Sequence, residues 1–580
     1  MTRETLAEVL EKIAQLLELK GENPFKIRAY RTGAEVVMAH AGDIVGLARE
    51  GQLEGIKGIG EALRDKLHEL ATTGQLGFYE KLRAEFPDSL FELFEVSGLG
   101  PKKIAALHRE LGVKSLADLK RVCEDGTAAA LSGFGEKTVA KILEGMAFNE
   151  AHAGIFRADA AAEAVEEVLA FLRELEETSR VEVAGSFRRG KETVHDLDFL
   201  AASRKPGELM EAFVTAPFVT QVIVRGETKS SIRLANGLQC DLRVVTNAEF
   251  PYALVYFTGS KEHNIQLRSR ALKMGWTLNE YVLSPHGEKG TPVPEDVHEE
   301  RDVHRVLGLD FMAPEIREGM GEIEAAEAGA LPELVALENL RGTFHNHTTA
   351  SDGVDTLAAM AEAAIELGLE YLGIADHSKS SFQANGLDEA RLRAQIAEIA
   401  AMNREWDGSF RLFAGSEVDI LKDGSLDFGD DLLGELDYVV ASVHSVFNLA
   451  EAEMTKRIIR AVENPHVTML GHLTGRLLLK RDAYAVDVPA VIEACAATGT
   501  MIELNASPWR LDMDWRWWRL AKEKGVLCSI NPDAHSTGGL QDLWFGVRAA
   551  RKGWLTRADV INCLPLEKVT AVLGRKRGRR

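Results

Sequence analysis

The spacing of apolar side chains changes twice along this 580-residue chain, and each change predicts a different kind of structure. Over residues 1–150 the period is helical, and one pattern returns three times: LEGIKGIGEALRDKL (53–67), LFEVSGLGPKKIAAL (93–107) and LSGFGEKTVAKIL (131–143). Each copy has an apolar lead-in, a Gly-x-Gly and then an amphipathic helix. Between residues 150 and 320 the runs shorten to strand length, as in RVEVAGS (180–186), HDLDFLAA (195–202), TQVIVRG (220–226) and GLQCDLRVV (237–245). Helical stretches such as AAAEAVEEVLAFLRELEE separate some of them. Residues 319–340 are acidic, Ala-rich and bounded by polar turns, the composition of a linker. From residue 341 onward seven short apolar runs end in or near His, Asp, Glu or Asn: TFHNH, YLGIADH, LFAGSEVD, YVVASVH, VTMLGH, MIELN and LCSINPDAH. Helices such as TLAAMAEAAIELG (356–368) lie between several of them. That alternation predicts parallel βα units. Polar groups at strand C-termini are where a barrel of such units places its active site.

Composition narrows the class. Hydrophobic residues at 46% and charged residues at 27% fit a soluble globular chain and exclude a fibrous, collagen-like or wholly disordered one. No apolar run approaches the ~20 residues of a membrane-spanning helix, and MTRETLAEVLEKI is too polar for a signal peptide. Cys123, Cys240, Cys495, Cys528 and Cys563 are scattered and form no CxxC, which predicts a reduced, cytoplasmic protein without disulfides or a thiolate zinc site. The formal charge of −21 stands as an objection to a polyanionic partner.

The repeated glycines point the other way. Gly58, Gly60, Gly98, Gly100, Gly133 and Gly135 sit where a turn enters a helix, so the backbone can be approached closely and free N–H groups can meet a phosphate. The three copies resemble helix–hairpin–helix motifs, which bind the DNA backbone without reading sequence. Ahead of them, NPFKIRAYRTGAEVV (23–37) places Lys26, Arg28, Tyr30 and Arg31 on an otherwise apolar helix. With GIGEALRDKL, this stretch resembles the small N-terminal domain of family X DNA polymerases such as DNA polymerase beta. The resemblance puts Lys66 at the position of a lysine that forms a Schiff base with a 5′-deoxyribose phosphate. Ala62 stands where eukaryotic relatives carry another lysine, so lyase chemistry is left open.

The carboxylates are more specific. In AGSFRRGKETVHDLDFL (184–200), Asp196 and Asp198 share one strand face, and adjacent carboxylates repel unless a cation neutralises them. In LQCDLRVV (238–245), Gln239, Asp241 and Arg243 share one side of a second strand. Three acids on neighbouring strands could hold two Mg²⁺ or Mn²⁺ ions, one activating the attacking oxygen and one stabilising the leaving pyrophosphate. Preceded by Gly185-Ser186, the set resembles the nucleotidyltransferase fold. The family X likeness becomes close at YFTGSKEHNIQLR (256–268), where the apolar alternation fails and the sequence reads as a turn. The resemblance implies that Tyr256 and Phe257 pack against the incoming sugar, and it counts Gly259 and Gly185 among the nucleotide-binding residues. It gives Asn264 the incoming base and Arg268 the templating strand. Ser186 and Arg189, with Arg157 as a weaker match, would hold the triphosphate.

The C-terminal half carries a second constellation: His345, His347, Asp352, His377, Glu417, His444, His472, Asp533 and His535, each at or just past the end of an apolar run. Such a mixed imidazole and carboxylate set suits Zn²⁺ or Mn²⁺, up to three ions. The string HNH alone does not make an HNH nuclease. This half resembles the polymerase and histidinol phosphatase (PHP) domain, a distorted barrel that hydrolyses phosphoesters, and all nine ligand positions match. Asp376 and Asp419 read as groups that orient a ligand. The tryptophans of WRLDMDWRWW (509–518) read as packing rather than base stacking.

The two resemblances imply a multidomain α+β and α/β chain. Its parts would be a helical N-terminal domain (1–85), fingers with helix–hairpin–helix motifs (86–150), a beta-type nucleotidyltransferase palm (151–250), a thumb (251–318), a linker (319–340) and a distorted TIM-like PHP barrel (341–575). The implied protein is a monomeric gap-filling DNA polymerase of base-excision or break repair, taking gapped or nicked DNA and dNTPs. Its barrel would serve as a 3′→5′ exonuclease, a 3′-end phosphoesterase or an abasic-site nuclease. The competing reading is a PHP-type DNA-end hydrolase whose nucleotidyltransferase half only grips DNA. Cations are concentrated locally, as in the tail GRKRGRR (574–580), and backbone binding follows where they lie rather than their sum.

Overall fold

The computed structural model of the protein describes residues 3–39, 44–56, 58–96, 98–287, 292–294, 296–406 and 408–574. The basic tail therefore lies, beyond Gly574, outside the described residues. Two compact units divide the chain between Ala153 and Gly154. No helix among the described residues is long and apolar enough to cross a membrane.

The first unit is all helical, and its three hairpins repeat at the level of single hydrogen bonds. In each, the first glycine takes a left-handed φ (Gly58 +97°, Gly98 +86°, Gly133 +87°). The residue between the glycines is buried: Ile59, Leu99 or Phe134. Its N–H donates three residues back, to Ile56, Val96 or Leu131. The second glycine caps the helix Glu61–Thr73, Pro101–Leu111 or Glu136–His152 with ψ of 168°, 168° and 169° and no side-chain cap. No atom lies within 4 Å of where a Cβ would stand at Gly60, Gly100 or Gly135. The helix ends thus present bare, open backbone.

In the second unit, a five-stranded sheet runs Arg180–Val183, Asp196–Ala202, Gln239–Val245, Lys229–Arg233, Gln221–Val224, with the second and third strands parallel and the other pairs antiparallel. Leu197, Phe199, Cys240 and Leu242 are buried, and the helix Ala158–Glu174 belongs to the same apolar cluster. The helices Phe250–Thr258 and Lys261–Lys273 follow. Tyr256, Phe257 and Thr258 thus form the last turn of a helix, not the free turn that the failed alternation suggested. That helix is buried through Phe250–Val255, so no amphipathic period exists to read. Residues 319–340 also run closer to the body than a linker does: Ile323 and Ala326 of the helix Glu322–Glu327 join the cluster formed by Leu267, Trp276 and Val303.

The strands from residue 342 onward make the expected parallel ring. Gly342–Thr343, Tyr371–Ile374 and Arg411–Ala414 form one sheet, and Glu417–Asp419, Val440–Ser442, Met469–Leu470, Met501–Asn505 and Cys528–Asn531 the other. Parallel bridges His377–Glu417 and Asn346–Ala534 join the two sheets at both seams. Phe344, Tyr371, Phe413 and Tyr438 cluster within this ring. Gly373 and Gly415 make room for Tyr438, whose ring atoms would lie 2.9 and 2.4 Å from an added Cβ. Trp515 and Trp518 are buried in the barrel core, as packing requires. All five cysteines are free and buried.

Two candidate metal centres

The palm centre follows from strand register. Asp198 and Asp241 are direct partners across the parallel pair, and Asp196 sits opposite Gln239, so the three carboxylates share a face. Burial and the neighbouring Asp196 and Asp241 push Asp198 up to about 6. Burial, with Asp241, also raises Asp196. Burial alone would raise Asp241, but bonds from Lys229 (2.7 Å), Gln239 (2.9 Å) and Ser231 hold it below the usual range. Gly185 makes this closeness possible: with φ +62°, its missing Cβ would stand 2.2 Å from Asp198 Oδ2. Three crowded carboxylates with a single lysine as cationic partner are a donor set that a divalent cation satisfies.

Of the other predicted palm residues, Arg189 directly follows the short helix Gly185–Arg188. Arg189 Nη1 donates to the Thr258 carbonyl (2.6 Å), Nε bonds Glu318 (3.0 Å), and Nη1 stands 3.2 Å from a Cβ built at Gly259. Asn264 Nδ2 donates to the Tyr256 carbonyl (2.7 Å), fixing the second helix against the end of the first. Tyr256 and Phe257 meet edge-on at 5.1 Å, Arg243 lies over Phe257, and Arg268 is exposed. Arg157 is bonded to Asp159 and lies 3.3 Å over the Trp509 ring of the barrel. Sequence reasoning missed Arg188. It grips Glu300 through two 2.8 Å bonds, while the fully buried Arg317 binds the same carboxylate. Arg317 and Arg188 outweigh burial and hold Glu300 well below the carboxylate range.

In the first unit, Lys26 and Lys66 lie over the Phe78 ring at 5.9 and 5.0 Å, and Tyr30 stacks on it at 6.1 Å. Tyr30 is buried, so its ring packs against Phe78 rather than offering an open face. Lys66 Nζ bonds the Ala62 carbonyl.

The barrel centre gathers all nine predicted groups. Glu417, 1% exposed, is its hub: His377 Nδ1 (2.9 Å) and His345 Nε2 (3.3 Å) approach one oxygen, His444 Nε2 (3.0 Å) and His472 Nε2 (2.9 Å) the other. Asp533 meets His347 Nε2 at 3.1 Å, and Asp352 meets His535 Nε2 at 3.4 Å. Three groups have ligand atoms within 4.8 Å of one another: His347, Asp352, His377 and His535; His345, His347 and Asp533; His377, Glu417 and His444. His345 Nε2, His347 Nδ1 and His377 Nδ1 are buried and make no directed hydrogen bond, although the first and last face Glu417 Oε2, so the donor set fits a divalent cation. Other ring nitrogens of the cage are held by fixed partners. His345 Nδ1 bonds Glu503 (2.6 Å), His444 Nδ1 bonds Asp419 (3.1 Å), and His535 Nδ1 bonds the Asp533 carbonyl (2.9 Å). Such partners fix which nitrogen faces a metal. Glu503 was not anticipated. It is fully buried and also accepts from Asn531 and the His472 backbone. Asp376 instead ties down the 348–351 loop through Thr348 and Ser351, just before Asp352. Burial raises Glu417, but His444, His345 and His377 outweigh it and keep the carboxylate ionised. A cavity of about 420 Å³ opens onto the cage, lined among others by Phe382 and Arg510.

Comparison with known proteins agrees with this division. The chain matches the helix-hairpin-helix domain over residues 1–76, the SAM-like helix-hairpin-helix tandem over 90–147, the DNA polymerase beta thumb over 253–318 and the PHP domain over 343–507. It is 38% identical to DNA polymerase/3′-5′ exonuclease PolX of Bacillus subtilis (strain 168) over 579 residues, which is 99% of this chain and 100% of that one. Over part of its length it is 26% identical to a "Probable phosphatase" of Thermoanaerobacter sp. (strain X514), covering 38% of this chain and 88% of that protein. A "Probable phosphatase" of Caldicellulosiruptor saccharolyticus is 28% identical over 33% of this chain and 78% of its own. Hairpin modules, a polymerase thumb and a PHP barrel on one chain are the parts of a repair polymerase with a hydrolytic domain. The chain belongs to the family X DNA polymerases that carry a C-terminal PHP domain.

Proposed function

We propose that this protein is a template-directed, gap-filling DNA polymerase of base-excision or break repair whose barrel removes 3′ ends as an exonuclease or phosphoesterase. The observation that carries the reading is the register pairing of Asp198 with Asp241 beneath the Gly185 turn, on a chain that also closes a His–Asp–Glu cage. Divalent cations, Mg²⁺ or Mn²⁺ at Asp196, Asp198 and Asp241 and up to three Mn²⁺ or Zn²⁺ in the cage, supply charge neutralisation and lower the pKa of an attacking hydroxyl or water. The chain's own groups do the positioning. Ser186 and Arg189 hold the triphosphate, Tyr256 and Phe257 pack on the sugar, Asn264 meets the incoming base and Arg268 the template. The hairpin glycines bring gapped or nicked duplex to either centre, and the protein acts as a cytoplasmic monomer. Lys66, which shares the Phe78 ring with Lys26, is the candidate for deoxyribose-phosphate lyase chemistry.

The test is a gapped duplex incubated with Mn²⁺, with and without dNTPs. Asp198→Ala is expected to lose extension at least ~10³-fold while degrading the primer normally, and His347→Ala to do the reverse, as loss of transition-state stabilisation at one site only predicts. Extension that persists in Asp198→Ala overturns the polymerase assignment.

A further inference from the structure

The turn that carries Ser186 and Arg189 is not held by the palm alone. The barrel helix Leu543–Lys552 lies behind it, more than 350 residues away in sequence. Lys552, only 1% exposed, donates from Nζ to the Arg189 carbonyl (3.0 Å), to the Glu315 carbonyl (3.4 Å) and to Glu318 Oε1 (2.5 Å). One turn back on the same helix, Arg548 donates to the Phe187 carbonyl and lies over the Phe187 ring. Arg551 bonds Glu315 at 2.8 Å. Two backbone carbonyls of a single short turn are thus capped by cations from another domain.

Glu318 is the pivot of this contact. Its Oε1 is shared by Lys552 and by Arg189 Nε (3.0 Å), and its Oε2 meets Lys191 at 3.2 Å. Burial would raise Glu318, but Lys552, Arg189 and Lys191 together hold it down to about 2, so it is a permanent anion. An anion bonded to Arg189 competes with any phosphate for the same guanidinium. Lys552 is the cation that meets this competitor from behind. Burial draws its ammonium down to about 8, with Glu318 opposing, so it remains charged at neutral pH.

We propose that Lys552 is a positioning residue for nucleotide binding, through which the barrel sets the affinity of the palm for dNTP. It fixes the backbone of the 187–190 turn and shares the Glu318 oxygen that Arg189 Nε holds, which weakens the hold of Glu318 on Arg189 and lets a triphosphate displace it. The proposal rests on the reading of the 185–191 turn as the triphosphate site. Removing the charge frees Glu318 to hold Arg189 more tightly, so nucleotide affinity falls while chemistry in the bound complex is unchanged.

The experiment measures kcat and KM for dNTP at saturating gapped DNA in the full-length protein, with primer degradation without dNTP followed in the same preparations. Lys552→Met is expected to raise KM about tenfold, to leave kcat within about twofold and to leave degradation unaltered. Lys552→Arg restores most of the affinity, and adding Glu318→Gln to Lys552→Met lowers KM again by removing the competitor. Ser186→Ala is the control for the underlying reading: an unchanged KM there refutes the triphosphate turn itself. If Ser186→Ala raises KM and Lys552→Met does not, the positioning role is wrong. It is equally wrong if Lys552→Met loses both activities in step with its melting temperature, because Lys552 is then only a strut.

Discussion

The palm and the barrel both collect carboxylates, yet they solve the problem of like charge in opposite ways. The palm sets three acids on two adjacent strands with Lys229 as the bonded cation, and burial together with that crowding pushes Asp198 up. The barrel draws its nine groups from six of its eight strands and the segments just past them, and sets each carboxylate against imidazoles, so Glu417 is pulled down instead. The palm is therefore a site under electrostatic tension until a cation arrives. The barrel cage instead sets its anions against buried imidazoles, Glu417 facing four of them. A site of the first kind needs only local register; one of the second needs the whole ring closed.

The largest test of this contrast is stability without metal. In chelator, Glu417→Gln is expected to destabilise the protein by about 3–5 kcal/mol, because four buried imidazoles lose their shared anion. Asp198→Asn should do the opposite and stabilise by about 1 kcal/mol, since it relieves repulsion among the palm carboxylates. Urea denaturation of both variants in chelator measures the two signs. Mn²⁺ should then raise the midpoint of the parent more than that of Asp198→Asn. Two destabilised variants would abolish the distinction drawn here.

How much of this could be read from sequence follows the same division. The groups gathered in the barrel cage were legible because each stands at or near the end of an apolar run, where chain direction alone places it on one face of the ring. Asp196, Asp198 and Asp241 were legible because strand alternation puts them on a common face. Glu503 was not, although MIELN displays it: an acid inside an apolar strand signals a buried charge but says nothing about which histidine it meets. Tyr256 and Phe257 were placed in a turn because the helix carrying them is buried through Phe250–Val255 and has no polar face to show its period. The acidic 319–340 stretch resembled a linker, yet Glu322 is buried against His263, and a composition cannot reveal such a pairing. Nor could any local pattern announce Lys552 beside Arg189, since the contact exists only once two domains are docked.

A smaller effect sharpens the barrel side. Glu503 reaches no predicted ligand atom that faces the cavity; it holds His345 from behind and braces the His472 backbone. Glu503→Gln should therefore leave the cage assembled but weaken its metal affinity about 10–100-fold. The measurement is the Mn²⁺ concentration giving half-maximal primer degradation, which should rise, while the Mn²⁺ dependence of extension stays where it was. A shift in both curves would mean that the two centres share a metal-dependent step, contrary to their separate construction.

The smallest expected effect comes from the unit that belongs to neither centre. Gly98 takes φ +86° with open space around it, so Gly98→Ala meets no clash and costs only the left-handed backbone penalty, about 1 kcal/mol. If the hairpins serve both sites by holding duplex, this loss appears as weaker DNA binding. Extension and degradation at subsaturating DNA then fall together by about fivefold. Raising the salt should deepen both losses equally, because backbone contacts are screened alike whichever end is being processed. Parallel losses in the two assays would place DNA capture upstream of the choice between synthesis and degradation. A loss confined to extension would instead tie this hairpin to the palm and leave the barrel to find its 3′ ends unaided.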